Sequence, residues 1–189
     1  SVDRIEVLRG PMAQLYGNSA GGVIQAFTRE APEVPELMLQ GYYGSYGTYR
    51  TDWQYAQKIG QFGLVADYST FKTDGYRQNS QTERNQFNGK FTYDHDEKTK
   101  FTLIANYFDM PYAYDPVGLT RALINSNGPE YSRYYGSVNR LRKTIEQTQV
   151  GAIFDRKLDN QSTLTLRVYS GKRTNTHFNN DTAYVAGST

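Results

Sequence analysis

A two-residue rhythm of apolar and polar side chains runs through this 189-residue chain from Glu36 onwards. In residues 84–94, Phe87 and Phe91 alternate with hydrophilic side chains, and in residues 162–171 leucine and valine alternate with threonine and arginine. Successive side chains of a β-strand point to opposite faces, so this rhythm is typical of strands with one apolar and one polar face. It predicts that the chain is all-β.

Seven segments carry this pattern, and the connections between them alternate in length. The predicted strands are 37–46, 48–58, 62–73, 84–94, 99–109, 143–156 and 162–173. After the tight turn at 46–48, short connections at 59–61, 95–98 and 157–161 alternate with longer ones at 74–83 and 110–142. Antiparallel β-barrels of bacterial outer membranes have short turns at one rim, long loops at the other, and strands of about ten residues between them. The pattern therefore favours a transmembrane antiparallel β-barrel that is partial, with about seven strands present.

Composition decides which other classes stay open. Only 38% of the residues are hydrophobic, mean hydropathy is −0.72, and no stretch approaches the ~20 apolar residues that a membrane-spanning helix needs. A barrel is compatible with this composition, because only its lipid-facing side chains must be apolar. A soluble β-sandwich shows the same alternation, so the rhythm alone leaves that fold open.

The charges and motifs argue against several kinds of function. Lys and Arg number 21 against 19 Asp and Glu, with the signs interspersed, which is not the footprint of a nucleic-acid-binding protein. Cysteine is absent, and His95 and His177 stand in polar segments predicted to be turn and loop, without the spacing of metal ligands. The sequence has no nucleophile elbow and no phosphate-binding glycine loop. We therefore expect no enzyme activity, no resident cofactor and no nucleic-acid partner.

The first 30 residues differ in character from the rest of the chain. Two short apolar segments, 5–8 and 22–27, enclose the turn signals Gly10-Pro11 and Gly17-Asn18. This arrangement is typical of the end of a small packed domain. The glycine pair before the second apolar segment carries no side chains, so another backbone can approach it closely.

Pro32 and Pro35 separate this region from the strands. Proline cannot donate a hydrogen bond to a central sheet ladder, so the segment 31–36 is predicted to be a linker. The predicted organisation is a packed unit over residues 1–30, the linker, and the strand-rich part over residues 37–189. Because the chain starts directly with the first apolar segment and has no leader, we expect a truncated N-terminus.

The N-terminal region resembles a known family. The run from Val2 to Pro11, with its Arg-Gly-Pro turn, and the run 15–24, Leu-Tyr-Gly-Asn-Ser-Ala-Gly-Gly-Val-Ile, are similar to the end of the plug domain of TonB-dependent outer-membrane receptors. The strands that follow are similar in pattern to the start of that family's 22-stranded barrel. Residues 115–121 resemble the third outer loop of its ferric-siderophore branch. By this resemblance the chain is a fragment that covers the C-terminal part of a plug domain and the first barrel strands.

The resemblance implies a receptor in the cell outer membrane of a Gram-negative bacterium. Its partners would be a ferric siderophore or a similar metal chelate outside the cell, and outer-membrane lipid around the barrel. The inner-membrane TonB complex would energise import through a box expected before Ser1. An importer of cobalamin or of a glycan with the same architecture stays open. From a different class, a soluble tyrosine-rich β-sandwich that binds carbohydrate also stays open.

Aromatic side chains near the end of the fifth predicted strand are candidates for ligand binding. Phe108, Tyr112 and Tyr114 lie there, and the two tyrosines are predicted to lie beyond the strand end, next to Pro111. A tyrosine offers a flat apolar face and a hydroxyl group, which suits a metal chelate in an organic shell. The alternative is an aromatic girdle at the lipid interface, which we favour for Tyr107. Further candidates in the same connection are Tyr131, Tyr134 and Tyr135.

Three charged residues of the N-terminal region also need partners. Inside a barrel, Arg4, Glu6 and Arg9 would carry a desolvation penalty unless they pair with each other or with the barrel wall. The resemblance implies that Arg9, helped by Glu6, belongs to an ionic lock between plug and barrel. The barrel glutamates of that lock are expected beyond Thr189. The alternative is a solvated surface pair.

Overall fold

The computed structural model describes residues 2–10, 21–132, 141–159 and 161–179, and its regular structure is almost entirely β. The elements in chain order are β1 (Val2–Leu8), β2 (Val23–Thr28), β3 (Glu36–Gly44), β4 (Thr48–Ile59), β5 (Phe62–Thr73), β6 (Thr82–Asp96), β7 (Thr99–Tyr114), α1 (Arg121–Asn127), β8 (Arg142–Lys157) and β9 (Thr163–Phe178). Within the described ranges, no helix is long and apolar enough to cross a bilayer. The all-β class predicted from the alternation is confirmed.

The strands form two antiparallel sheets. β1 pairs with β2, and β3 to β9 form a seven-stranded sheet in which each strand pairs with the next one along the chain. All seven predicted strands are present, with ends shifted by at most five residues. In the part of the chain that the structure describes, the sheet does not close on itself, so β3 and β9 each keep one unpaired edge. This architecture is consistent with part of a β-barrel.

The pairing register divides the seven-stranded sheet into two unlike faces. Trp53 stands opposite Tyr68, and Tyr68 stands opposite Phe87, so these side chains share one face, which we call the apolar face. The other face, called the polar face, carries amides and a carboxylate at a neighbouring level: Gln54, Asp67, Asn88, Asn106 and Gln149. The alternation in the sequence therefore gives the sheet one apolar face and one polar face.

The large side chains of the apolar face are exposed. Leu103 is 54% exposed and Val168 is 68% exposed, whereas the few buried apolar residues, such as Val65 and Ile145, belong to the polar face. In the described residues no second sheet covers the apolar face, so they do not form a β-sandwich. An exposed apolar surface of this extent indicates contact with lipid or with another protein.

Strand β7 is longer than predicted and runs to Tyr114 instead of ending at residue 109. Pro111 fits because the pairing of β7 with β8 shifts between Met110 and Ala113, and Pro111 has no partner on β6 or β8. At such a bulge the missing N–H of proline breaks no ladder hydrogen bond. The prediction that Tyr112 and Tyr114 lie beyond the strand end is therefore wrong.

The structure differs from the prediction in three further places. The connection between β7 and β8 contains α1, whose first turn is capped by the Thr120 hydroxyl, 3.3 Å from the backbone N–H of Leu123 that it accepts. Gly128, at φ +86, ends the helix. β6 continues to Asp96 and β9 to Phe178, so His95 lies in a strand and not in a turn. His177 lies in a strand opposite Lys143 and not in a loop.

Positive φ angles occur at one tight turn and at one close approach between strands. Between β3 and β4, Tyr46 and Gly47 have φ values of +59° and +61°, as a type I′ turn requires. At Gly22, where φ is +136°, a Cβ atom would lie 2.6 Å from the carbonyl oxygen of Leu8 on β1. The predicted close backbone approach is therefore confirmed at Gly22, whereas Gly21 has open space around it.

Candidate functional site

Two rows of aromatic side chains cross the apolar face. The lower row, nearer the short turns, consists of Phe62, Tyr93, Phe101 and Phe154, which stand opposite one another on β5 to β8. Their successive ring centroids lie 4.9, 6.2 and 5.1 Å apart. The upper row consists of Trp53, Tyr68, Phe87 and Tyr107 on β4 to β7. The two rows border the apolar part of this face.

The spacing of the rows matches a membrane-crossing strand. Phe62 and Tyr68 on β5 are six residues apart, which is about 20 Å along a strand. Beyond the upper row the same face becomes polar, with Thr70, Asn85, Asp109 and Glu146 standing opposite one another. The Tyr68 hydroxyl donates to Oδ1 of Asn85 over 3.2 Å, so this ring joins the apolar band to the polar row. An apolar band with aromatic residues at both borders is characteristic of outer-membrane barrels.

On the polar face, Lys90 of β6 fixes the segment between β2 and β3, residues 29–35, which is the linker in the structure. Its ammonium donates to the carbonyl oxygens of Thr28 and Arg29, each at 3.2 Å, and to Oε1 of Glu30 at 2.8 Å. An ammonium group has three N–H donors, and here each has an acceptor. Lys90 is only 9% exposed, so the linker covers it.

Glu30 also accepts from a second lysine. The ammonium of Lys100 on β7 lies 2.7 Å from its Oε2. Partial burial acts to raise the pKa of the Glu30 carboxyl, but the hydrogen bonds and charges of Lys100 and Lys90 outweigh it and lower the pKa. A little further on, the backbone N–H of Lys58 donates to the carbonyl of Pro32 over 2.7 Å. The linker is therefore tied to β6 and β7 through lysine side chains and to β4 through its backbone.

The polar face is the side of the sheet that carries the N-terminal region. Besides the linker contacts, Val2 at the start of β1 lines a cleft of about 560 Å³ together with residues of the polar face such as Gln40, Arg50 and Gln86. A domain that plugs a barrel must lie against the wet inner wall, so the polar face has the properties of that wall.

The two longest connections described at the other rim are joined by one arginine. In the connection between β5 and β6, the Arg77 guanidinium donates to the carbonyls of Val117 at 2.7 Å, Pro116 at 3.2 Å and Tyr131 at 2.9 Å, all in the β7–β8 connection. Nearby, the buried Asn79 donates its amide to the carbonyl of Asp115 over 2.8 Å. We call these contacts the loop junction. It gives these two connections a defined arrangement.

The three aromatic residues predicted to bind ligand do not form one cluster, because Phe108 lies apart from Tyr112 and Tyr114. Tyr112 and Tyr114 are neighbours, with ring centroids 5.5 Å apart, and the Tyr112 hydroxyl donates to Oε2 of Glu83 over 2.9 Å. Glu83 and Tyr112 belong to the apolar face, beyond its upper aromatic row. Phe108 lies on the opposite, polar face, where it stands across from Gln86. The ligand-binding roles of all three stay predictions.

The other aromatic candidates and part of the N-terminal motif are placed as follows. Tyr131 contributes its backbone carbonyl to the loop junction. Tyr134, Tyr135 and the motif residues 15–20 lie outside the described residues. In residues 115–121, Asp115 accepts the backbone N–H of Val117 over 2.8 Å, which shapes the start of the connection.

Among the described residues, Glu6 of the predicted ionic lock pairs with Arg4 and not with Arg9. Oε1 of Glu6 lies 2.8 Å from Nε of Arg4, and the Arg4 guanidinium stands 4.0 Å from the centre of the Phe27 ring. Arg9 is exposed and forms no ion pair with any residue in the described ranges. The lock between Arg9, Glu6 and the barrel stays a prediction. Among the described residues, no three His, Cys, Asp or Glu side chains are grouped so that they could hold a metal ion.

Sequence reasoning missed Lys90 and Arg77. Lys90 occupies an ordinary polar position of an alternating strand, and Arg77 belongs to a polar connection. Their partners are mostly backbone carbonyls of residues 39 to 62 positions away. Every residue has a backbone carbonyl, so residue types do not show which carbonyl will accept a hydrogen bond. No local signal in the sequence could therefore have identified Lys90 or Arg77.

Comparison with known proteins finds a likeness to a transporter. No family model matches the chain. The ferrichrome outer membrane transporter/phage receptor of Escherichia coli strain K12 is 24% identical to it over 114 residues. The match covers 58% of this chain and 15% of that relative, so the chain corresponds to a small part of the relative's length. This part of the chain is therefore similar in sequence to part of an outer-membrane transporter.

Proposed function

We propose that this chain forms part of a TonB-dependent outer-membrane receptor that imports a ferric siderophore or a similar metal chelate. The two-faced sheet carries the proposal: an apolar band bordered by aromatic rows on one side, and a hydrophilic wall tied to the N-terminal segment on the other. The resemblance of the N-terminal motif and the likeness to the ferrichrome transporter support the same conclusion.

Contact with lipid would remove the exposed apolar side chains of the apolar face from water. Burying apolar surface contributes about 25 cal/mol per Å², so side chains such as Leu103 and Val150, both more than half exposed, favour a nonaqueous neighbour. In a bilayer the free edges of β3 and β9 also need partners, because unpaired backbone groups are costly in lipid. In the working receptor these edges would pair with further strands.

The polar face would form the inner wall, and the β1–β2 hairpin would be the end of the plug. Ligand would enter at the rim of the loop junction and meet side chains of the polar face, of which Phe108 is one candidate. The TonB complex would then act on the plug. The protein would bind and move its ligand without converting it, so we assign no catalytic residue.

Uptake by living cells tests this function. The full-length receptor is expressed in a Gram-negative strain that lacks its own receptors for ferric chelates, and uptake of a panel of radioactive ferric chelates is measured. We expect uptake of at least one chelate when TonB is present and loss of that uptake when it is deleted. Uptake of cobalamin or an oligosaccharide, with no iron chelate taken up, would contradict the ligand class.

A second measurement tests the membrane assignment by itself. The full-length protein should fractionate with the outer membrane and need detergent for extraction. A folded monomer in buffer without detergent would contradict this assignment whatever the uptake result.

A further inference from the structure

Aromatic and guanidinium side chains alternate in one row across the polar face. Tyr42 on β3 stands opposite Arg50 on β4, Arg50 opposite Phe71 on β5, and Phe71 opposite Arg84 on β6. Directly opposed residues of antiparallel strands share a face, so all four point to the same side. Adjacent strands are about 4.8 Å apart, which makes the row about 14 Å long. We call it the Tyr42–Arg84 row.

The row lies at the rim that carries the longer loops. Phe71 is three residues beyond Tyr68 of the upper aromatic row, which places it about 10 Å further along the strand. Two residues further on, β5 ends at Thr73 and the connection with the loop junction begins. Tyr42 and Arg50 also line the cleft of about 560 Å³ described above, a volume within the range of ligand pockets. A ligand entering from the loop side would meet this row early.

The charges of the two arginines are differently engaged. Arg50 binds Asp52 through both carboxylate oxygens at 2.8–3.0 Å, so its charge is largely matched. The Arg84 guanidinium stands 4.8 Å from the centre of the Phe71 ring, is exposed, and forms no ion pair with an acidic residue in the described ranges. Arg84 is therefore a positive group presented to the polar side.

The surroundings of the row are also positive. On the outer part of the polar face, from the level of Gln40 and Arg173 to the loop rim, the described residues include four cations, Arg50, Arg84, Lys143 and Arg173, and one carboxylate, Asp52. Clustered charge of one sign attracts ligands of the opposite sign and raises their association rate. Nearer the short turns the charges of the same face are almost balanced: the cations are Lys58, Lys90, Lys100, Lys157 and Arg167, and the carboxylates are Glu36, Asp67, Asp94 and Asp155.

We propose that the Tyr42–Arg84 row binds an anionic ligand that carries flat aromatic groups, and that Arg84 is its main charge-recognising residue. Guanidinium groups pair with oxygen anions and stack on rings, while Tyr42 and Phe71 offer ring faces beside them. Among metal chelates, ferric catecholates combine these two properties. The inference rests on the proposed receptor function and narrows its ligand from ferric chelates in general to anionic, aromatic ones.

Binding to the purified full-length receptor in detergent tests this inference. The probes are a synthetic ferric tris-catecholate, which is anionic, and a ferric tris-hydroxamate of similar size, which is neutral. Quenching of intrinsic fluorescence reports the Kd of each. We expect the catecholate to bind at least about tenfold more tightly than the hydroxamate and to lose affinity as salt is raised.

Variants of two arginines locate the effect. Arg84→Gln should weaken catecholate binding about tenfold, which is the size expected for one lost charge-assisted contact, and Arg84→Lys should restore part of it. Arg167→Gln is the matched control, because Arg167 is an exposed arginine of the polar face near the short turns. It should leave both Kd values unchanged.

The outcomes separate this inference from the proposed function. Tighter binding of the neutral chelate, or an Arg84→Gln variant that binds catecholate as the wild type does, overturns the inference and leaves the receptor function standing. Failure of both chelates to bind, together with no uptake of any iron chelate by cells, overturns the proposed function and with it the inference.

Discussion

Nζ of Lys90 lies 2.8 Å from Oε1 of Glu30, a residue 60 positions earlier in the chain. Lys90 belongs to the central region of the seven-stranded sheet and Glu30 to the linker that follows the β1–β2 hairpin. The contact therefore fastens the connection between β2 and β3 to a strand in the middle of the seven-stranded sheet. Lys90 also binds the carbonyl oxygens of Thr28 and Arg29, so it fixes the backbone there as well as the Glu30 side chain.

Replacing Lys90 with methionine should loosen the linker without disturbing the barrel strands. The change removes three hydrogen bonds from an ammonium group and keeps most of the side-chain volume, so local opening of residues 28–32 should become easier by about 2 kcal/mol. Hydrogen exchange of the full-length receptor measures this. Lys143→Met, at an exposed lysine of the same face, is the control. Equal protection in wild type and Lys90→Met would show that Lys90 does not hold the linker.

The same contact should depend on pH. The pKa of Glu30 is lowered from its ordinary value of 4.5 in the folded protein, so the carboxylate binds protons less readily there than in an unfolded chain. Its contribution is thus fully present above about pH 4.5 and is lost as pH falls through the lowered pKa. Hydrogen exchange of residues 28–32 should increase below pH 4.5 in the wild type. A Glu30→Gln variant should show little of this pH dependence, and an identical response in the two proteins would exclude Glu30 as its source.

Arg77→Gln should release the loop junction. The glutamine amide cannot reach three carbonyls at once, so residues 115–132 should lose protection from hydrogen exchange and become sensitive to protease. We expect the free energy of local opening of these residues to fall by about 2 kcal/mol or more, and the protection of the strands to stay unchanged. Arg121→Gln, at an exposed arginine of α1, is the matched control. Equal protease sensitivity of the Arg77 and Arg121 variants would argue against the junction.

A neighbouring pair of substitutions on β8 tests which face meets lipid. Val150 is 52% exposed on the apolar face, and Gln149 lies on the polar face. Arginine at a lipid-facing position costs about 2–4 kcal/mol at the middle of the bilayer. Val150→Arg should therefore reduce the amount of receptor assembled in the outer membrane, and Gln149→Arg should not, as measured by heat-modifiable mobility of the extracted protein. The reverse result would exchange the roles of the two faces.

The separation of Phe108 from the tyrosine pair also leads to a prediction. Because Phe108 is on the polar face and Tyr112 is on the other, a ligand inside the barrel can contact only the first directly. Phe108→Ala should weaken ligand binding several-fold more than Tyr112→Ala does. Equal losses of affinity in the two variants would mean that the tyrosine pair also contributes to binding.

The repeating pattern was enough to predict the strands, because alternation is a property of each strand by itself. Residues 62–73 were predicted to be a strand and form β5 with the same limits. The predicted strand ends at residue 109 and β7 ends at Tyr114, because a proline such as Pro111 normally ends a strand. Only the pairing with the neighbouring strands shows that a bulge accommodates Pro111. The helix α1 is short, and its threonine cap was not recognised within a polar connection.

The candidate site was predictable to a smaller extent. Aromatic residues near the end of β7 were identified, but the bulge at Pro111 decides which face each one joins, and that depends on register. Lys90 and Arg77 act on backbone carbonyls brought near by the fold. The Tyr42–Arg84 row requires four strands in register, so no single segment of sequence contains it.

The equal six-residue interval between the two aromatic rows on β5, β6 and β7 restricts how this chain can change in length. Adding or deleting one residue inside any of these strands would exchange the two faces over half of the strand. Aromatic side chains would then lie on the polar face, and charged side chains would lie on the apolar face. Insertions at 74–81 or 115–132 would not change the strands between the two aromatic rows. Length variation among homologues should therefore be confined to these two connections.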